Sequence, residues 1–361
     1  MQENKPKTAL IVIIYAVAFI CGGLITALYY ENVYSLVYAF AGLISTWVFS
    51  LLCHEAGHAI TAKINKFDII KFSVCGFTVD KTSVKKFSFK PFAKVGGETA
   101  VLPKTMGKKG ENGEKYALIT LFGLIFHALA VIGFMLALVL CDDLRVKAFF
   151  AFFTLSLASF AVNGAKGLVP DSDAAVLANF TRYSLETDGY DNYLNILLLL
   201  RQGKTYAETD EKYFVCENCS ARLSGVMRLF KLKREEELGN KENARMQALN
   251  EPCECADEEF CAEAAYIGYI TGDSALIERY GGVTETLDNC DSPFAQRLRL
   301  AKAKYTGDEQ YLAVAVPSAL KACDKEFFLG DGVFNKKLIL RDIKWHPFPR
   351  DGGSVSVSSR A

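Results

Sequence analysis

Residues 51–63 read LLCHEAGHAITAK. In a helix, positions four apart share a face, so His54 and His58 can turn both imidazoles toward one metal ion. Glu55, beside the first of them, then reaches a water on that ion. HExxH is a short pattern, but the chain has only 4 histidines in 361 residues, so the match outweighs most motifs of its length. The apolar residues leading into it carry as much information. Two histidines at a helix end facing lipid headgroups are the structural alternative, but ionisable groups within a membrane span are costly and usually functional.

Outward from this stretch, charge is absent from Thr8 to Tyr30, Val33 to Cys53, Tyr116 to Cys141 and Ala148 to Ala165. Each run approaches the roughly 20 residues that cross a 30 Å hydrocarbon core at 1.5 Å per residue. Membrane-spanning helices are therefore predicted over about 8–30, 33–62, 116–141 and 147–166. The first run is longer than a signal-peptide core and lacks a small-residue cleavage site, which favours an uncleaved helix. Lysines crowd residues 63–115, whereas the turns YENVY (30–34) and CDDLRVK (141–147) are acidic or balanced. The positive-inside rule then places both termini in the cytoplasm, and the expected membrane is the plasma membrane of a bacterium.

With 41 basic and 41 acidic side chains, no global field points to nucleic acid. The 11 cysteines lie mostly in the apolar runs or the charged second half, where thiols stay reduced, and no disulfide framework is implied. Cys216 and Cys219 form a CxxC followed by Cys253, Cys255 and Cys261. Their uneven spacing, with no histidine nearby, favours small buried side chains over a second zinc site.

A catalytic zinc takes a third protein ligand and keeps one position open. The second and fourth spans run in the same direction, so the end of the fourth, NGAKGLVPDSDAAVL (163–177), can meet HEAGH at similar depth. Asp171 and Asp173, beyond Pro170, are the candidate ligands. Capping of the following helix by Ser172 or Asp173 is the alternative, and the HExxH tips the reading toward ligation. Between the spans, IIKFSVCGFTVDKTSVKKFSFKPF (69–92) and GGETAVLPK (96–104) alternate apolar and polar residues, predicting a small sheet within the loop 66–104. Its use is either an edge strand that pairs with an extended substrate or an amphipathic hairpin on the membrane surface.

Over about residues 33–180 the chain resembles the site-2 protease family of intramembrane metalloproteases. The resemblance lies in HEAGH, the lysine-rich strand-bearing loop, a helix with a central Gly123, and a later helix that ends in Pro and then Asp. It implies that His54, His58 and Asp173 hold one Zn²⁺ per chain and that Glu55 activates water to cut a membrane-anchored protein or peptide. Asp173 is preferred to Asp171 because the family's aspartate lies several residues beyond its proline. Departures are Gly167 where the family has Asn, Ala174 where it has Gly, and Leu124 and His127 where Pro and Asn are common. Asn163 is a candidate for the missing amide, and His127 for an oxyanion donor, a carboxylate partner or a plain interhelical contact. These departures leave a second reading, a degenerate homologue that acts as a membrane scaffold.

Residues 178–345 read as helical, with Gly203, Gly239, Gly272 and Gly307 each between two helical stretches. Their intervals of 36, 33 and 35 lie near the 34-residue tetratricopeptide period. An irregular bundle with glycine caps is the alternative. A helix stack of this kind suggests a cytoplasmic protein partner, and 346–361 reads as a disordered polar tail. The expected fold is thus mainly α. A membrane core with four transmembrane helices and a small sheet (1–177) precedes a soluble helical-repeat domain (178–345).

Overall fold

The computed structural model describes residues 7–83, 86–90, 96–165, 167–169, 172–251, 258–287 and 290–343. The tail at 346–361 lies outside them. Four helical segments are long and apolar enough to cross a membrane: α1 (Thr8–Leu28), α2 (Val33–Ile64), α3 (Glu111–Leu140) and a fourth over Leu144–Gly164. Asn32 starts α2 by accepting the Tyr34 amide through its side chain. The 32 residues of α2 measure about 48 Å at 1.5 Å each. That exceeds the roughly 30 Å apolar core, so the helix end bearing the histidines can reach the polar edge of a bilayer. Val12, Ile20, Phe40, Ile44, Leu129 and Val139 face outward on α1 to α3, as on a lipid-facing surface.

Two predicted boundaries change. α3 starts at Glu111, ahead of the charge-free run at Tyr116, because Glu111 and Glu114 in its first turn complement the positive end of the helix. The expected single helix 147–166 is instead α4 (Leu144–Phe150) and α5 (Phe153–Gly164). Ala151 and Phe152 at the break are buried with Ala39, and the Phe152 ring lies 5.4 Å from that of Phe19. No glycine or proline marks this break, so tertiary packing decides it. α2 is central, packed against α3, α4 and α5, while α1 lies mainly on α5. At Gly42 the α2 backbone comes so close to the Phe149 carbonyl that a Cβ would overlap it.

The loop forms a four-stranded antiparallel sheet in the order β3-β2-β1-β4, from β1 (Phe67–Val74), β2 (Phe77–Asp80), β3 (Phe87–Phe89) and β4 (Gly97–Pro103). Cys75 and Gly76 join β1 to β2, and both have positive φ (48° and 86°), as a tight hairpin turn requires. β4 pairs with β1 from Phe67↔Pro103 to Val74↔Gly97 and lies against the end of α2.

The second half begins with α6 (Asp173–Arg182) and α7 (Glu186–Arg201). It continues through α8 (Ala221–Leu238), α9 (Lys241–Asn250), α10 (Glu258–Thr271), α11 (Ser274–Tyr280), α12 (Val283–Thr286), α13 (Pro293–Thr306), α14 (Glu309–Cys323) and α15 (Leu329–Leu338). Gly239, Gly272 and Gly307, with φ of 82°, 71° and 77°, turn the chain between α8 and α9, α10 and α11, and α13 and α14. Gly203 also has positive φ (93°), but no helix pair surrounds it. Thr205 donates its amide to Glu208 (2.9 Å) and Thr209 its hydroxyl to the Thr205 carbonyl (2.9 Å), closing a turn before a short 3₁₀ segment, Glu211–Phe214. Such local bonds compete with helix formation, which removes the first of the four expected units.

α7 packs on the apolar core instead. Tyr190 stacks between Tyr116 of α3 and Phe180 of α6, each ring centroid 5.0 Å away. Leu194 is buried with Ala62, Phe67, Val101 and Ile119, and Arg201 donates to Asp68 on β1 (3.1 Å). Gly42→Ala is expected to cost about 1–3 kcal/mol of stability by forcing α2 off α4. Gly23→Ala, where a Cβ meets open space, should be neutral or stabilising. Thermal unfolding midpoints of the detergent-solubilised proteins check this, and equal midpoints for both variants would refute the packing argument.

Candidate metal centre

His54 and His58 are both buried near the end of α2, which packs against α3. The Ile119 carbonyl lies 2.9 Å from His58 Nδ1, which places the proton on Nδ1 and leaves the Nε2 lone pair directed away from it. A Cβ at Gly123, one turn along α3, would overlap the His58 ring. Gly57, inside the HEAGH motif, likewise lets α2 approach the Phe122 carbonyl.

Asp173 is the first residue of α6. Ser172 occupies the cap position and accepts the Ala175 amide through Oγ (3.3 Å). The Asp173 carboxylate is thus released from capping and turns to the histidines, with Oδ2 at 3.0 Å from His54 Nε2 and 3.2 Å from His58 Nε2. The two Nε2 atoms are 3.2 Å apart. An ideal tetrahedron with metal bonds of about 2.0–2.1 Å has edges of about 3.3–3.4 Å, so these three atoms nearly form one of its faces. Asp173 Oδ2 is buried and, despite those distances, makes no hydrogen bond among the described residues. Two imidazole nitrogens and a carboxylate oxygen converging at these distances fit a divalent cation, and that donor set suits zinc.

Glu55, also buried, stands next to this triangle. Its Oε2 accepts the Thr99 hydroxyl of β4 at 2.5 Å. Gly97, at the start of β4, lies so close to the carboxylate that any Cβ would collide with it. A cavity of about 320 Å³ joins these groups, walled by Tyr15, Trp47, Ser159 and Asn163 from the apolar helices and by Arg222 from α8. Ser159 Oγ binds the Tyr15 hydroxyl (2.9 Å) and accepts from the Trp47 indole (3.0 Å).

The sequence-derived residues therefore separate. His54, His58 and Asp173 come together with Glu55 beside them, and Asn163 lines the same cavity. His127 is fully buried behind His54, with ring centroids 5.4 Å apart, and its Nε2 donates to the Ser156 carbonyl (3.1 Å). It is not among the cavity-lining residues. Asp171 lies outside the described residues, as do Cys253 and Cys255. Among the described residues, Cys216 and Cys219 gain no third ligand that would make a metal group. Thr99, Gly97, Ile119 and Arg222 were not singled out from sequence. Thr99 is one hydroxyl in a strand, the Ile119 contribution is a backbone carbonyl, and Arg222 reaches the cavity from a helix far along the chain.

No protein-family model, curated protein or solved structure matches the chain. The site rests on its own geometry. Purified protein should carry one zinc per chain by emission spectroscopy, and His54→Ala, His58→Ala and Asp173→Ala should each remove most of it. Full zinc retention by Asp173→Ala would remove that residue from the site. Gly123→Ala, which changes no ligand, should weaken zinc about 10–100-fold in a chelator competition, because it displaces the His58 ring.

Proposed function

We propose that this chain is a zinc-dependent endopeptidase of the site-2 protease type, cutting membrane-anchored proteins or peptides near the cytoplasmic face of a bacterial plasma membrane. The observation that carries the reading is the convergence of His54, His58 and Asp173 beside Glu55, at the end of a helix apolar enough to cross a bilayer. Zinc, when bound there, supplies a Lewis acid that polarises a carbonyl and acidifies water.

The chain's own groups account for the rest. Glu55 is the general base: it takes a proton from the attacking water and delivers it to the leaving amine. The Thr99 hydroxyl holds Oε2, which fixes the carboxylate and leaves Oε1 for proton transfer. Gly97 allows β4 to pass directly over the carboxylate. Among the described residues β4 is an edge strand, with β1 as its one neighbour in the sheet. A substrate backbone laid beside it would be extended, which is the form a peptidase needs, and would pass next to Glu55. Asn163 and the Tyr15–Ser159–Trp47 group offer polar contacts within the cavity, so the reaction has hydrogen-bonding surroundings at membrane depth.

Glu55→Gln should keep its zinc and lose about 10²–10⁴-fold in cleavage rate. The measurement is proteolysis of model single-span peptides in proteoliposomes, read by mass spectrometry beside metal content. A Glu55→Gln protein as fast as wild type would exclude the peptidase mechanism and leave the scaffold reading. Thr99→Val should retain zinc but slow cleavage less severely, since it loosens the base without removing it.

A further inference from the structure

A second cavity, of about 370 Å³, opens in the C-terminal helices where α7, α8, α13 and α15 converge, far along the chain from the metal ligands. Lys233 forms its floor and is 1% exposed. Its ammonium lies 2.5 Å from Glu259 and 3.2 Å from Asp331, and donates to the Tyr206 hydroxyl at 3.3 Å. The rings of Tyr206 and Phe334 lie 5.3 and 5.9 Å from it. A buried ammonium persists only where carboxylates, hydroxyls and ring faces replace its water.

Here the replacement is in excess. Glu259, Asp331 and Glu326 line the cavity against a single ammonium. Glu326 is the surplus group, since among the described residues it forms no ion pair with a cation. Burial, and then the neighbouring Asp331, push its carboxyl up to about 7, as expected of an acid set beside another without a counter-charge of its own. The same cavity is lined by Tyr193, Phe230, Phe294 and Phe328, whose rings can cover an aliphatic stem and attract a cation at its tip.

We propose that this cavity binds a lysine side chain of a peptide segment, with Glu326 as its counter-ion and the aromatic walls as its sleeve. Lys233 is the internal precedent, an ammonium on a flexible stem already held by carboxylates and ring faces. A hydrated metal ion would gain nothing from four aromatic walls, and among the described residues no three-ligand group forms here. The apolar lining continues past the charged floor through Leu197 and Val226, which gives residues flanking the lysine a surface to rest on. The proposal does not depend on the peptidase reading, because it uses no residue of the metal centre.

The test is retention of the full-length, detergent-solubilised protein on an array of nonapeptides with a single central lysine in varied apolar contexts. Matched arrays carry norleucine or glutamate at the centre, and cadaverine serves as a soluble competitor. Lysine peptides should retain the protein and the matched peptides should not. Glu326→Gln should lower retention at least about ten-fold, with zinc content and thermal midpoint unchanged, and Phe294→Ala should lower it as well. Equal retention on norleucine peptides, unchanged retention of Glu326→Gln, or no retention on any lysine peptide would overturn the proposal. Displacement by cadaverine as effective as by soluble lysine peptide would also overturn it, in favour of a free amine as the occupant.

Discussion

His58 is fixed by two properties of α3: the carbonyl of Ile119 accepts a hydrogen bond from its Nδ1, and the bare Cα of Gly123 leaves room for its ring. Both depend on how closely α2 and α3 can approach, which Gly57 permits against the Phe122 carbonyl. Small residues at a helix crossing matter most where lipid, rather than water, surrounds the helices, because no hydrophobic drive between them then compensates for loose packing. One crossing therefore sets both the fold of the apolar half and the direction of a ligand nitrogen. Asp173 then needs only to be delivered to that point, and the Ser172 cap does so by sparing its carboxylate the usual work at a helix start.

The two halves of the chain are less separate than a boundary near residue 177 suggests. α7 inserts Leu194 among residues of α2, α3, β1 and β4. A buried polar contact joins them too. The Asn112 amide of α3 donates to Asp191 (3.1 Å), and Asn195 donates to the same carboxylate (3.2 Å). Orphaning any of these buried groups would cost about 1–3 kcal/mol, so α7 is bound to the apolar half by more than shape. This also explains why Arg222, the second residue of α8, can wall the metal cavity.

Much of this was legible beforehand, for identifiable reasons. Uninterrupted apolar runs report spans because lipid demands them over their whole length, and HExxH reports a helix face because 3.6-residue geometry allows little else. The sheet could be read from alternation, and its four strands fall within the expected loop. What escaped was set by contacts between distant segments. The break at Ala151–Phe152 has no local signal, and Gly203 carries the same turn conformation as three other glycines without a helix pair around it. His127 shows a related limit. Its residue type left chemistry and packing both open, and only the fold shows it buried behind His54 with its Nε2 bonded to the Ser156 carbonyl.

Hydroxyl groups tie α5 sideways to its neighbours. Thr154 donates to the Ala18 carbonyl, Ser156 to that of Thr46, and Ser159 meets Tyr15 and Trp47. His54 and His58 lie in the second long apolar helix, whereas Asp173 is made only after the fourth. The three-ligand group consequently cannot exist on a nascent chain whose last apolar segment is still unplaced. Order of synthesis alone therefore delays this group until all four apolar segments have been made.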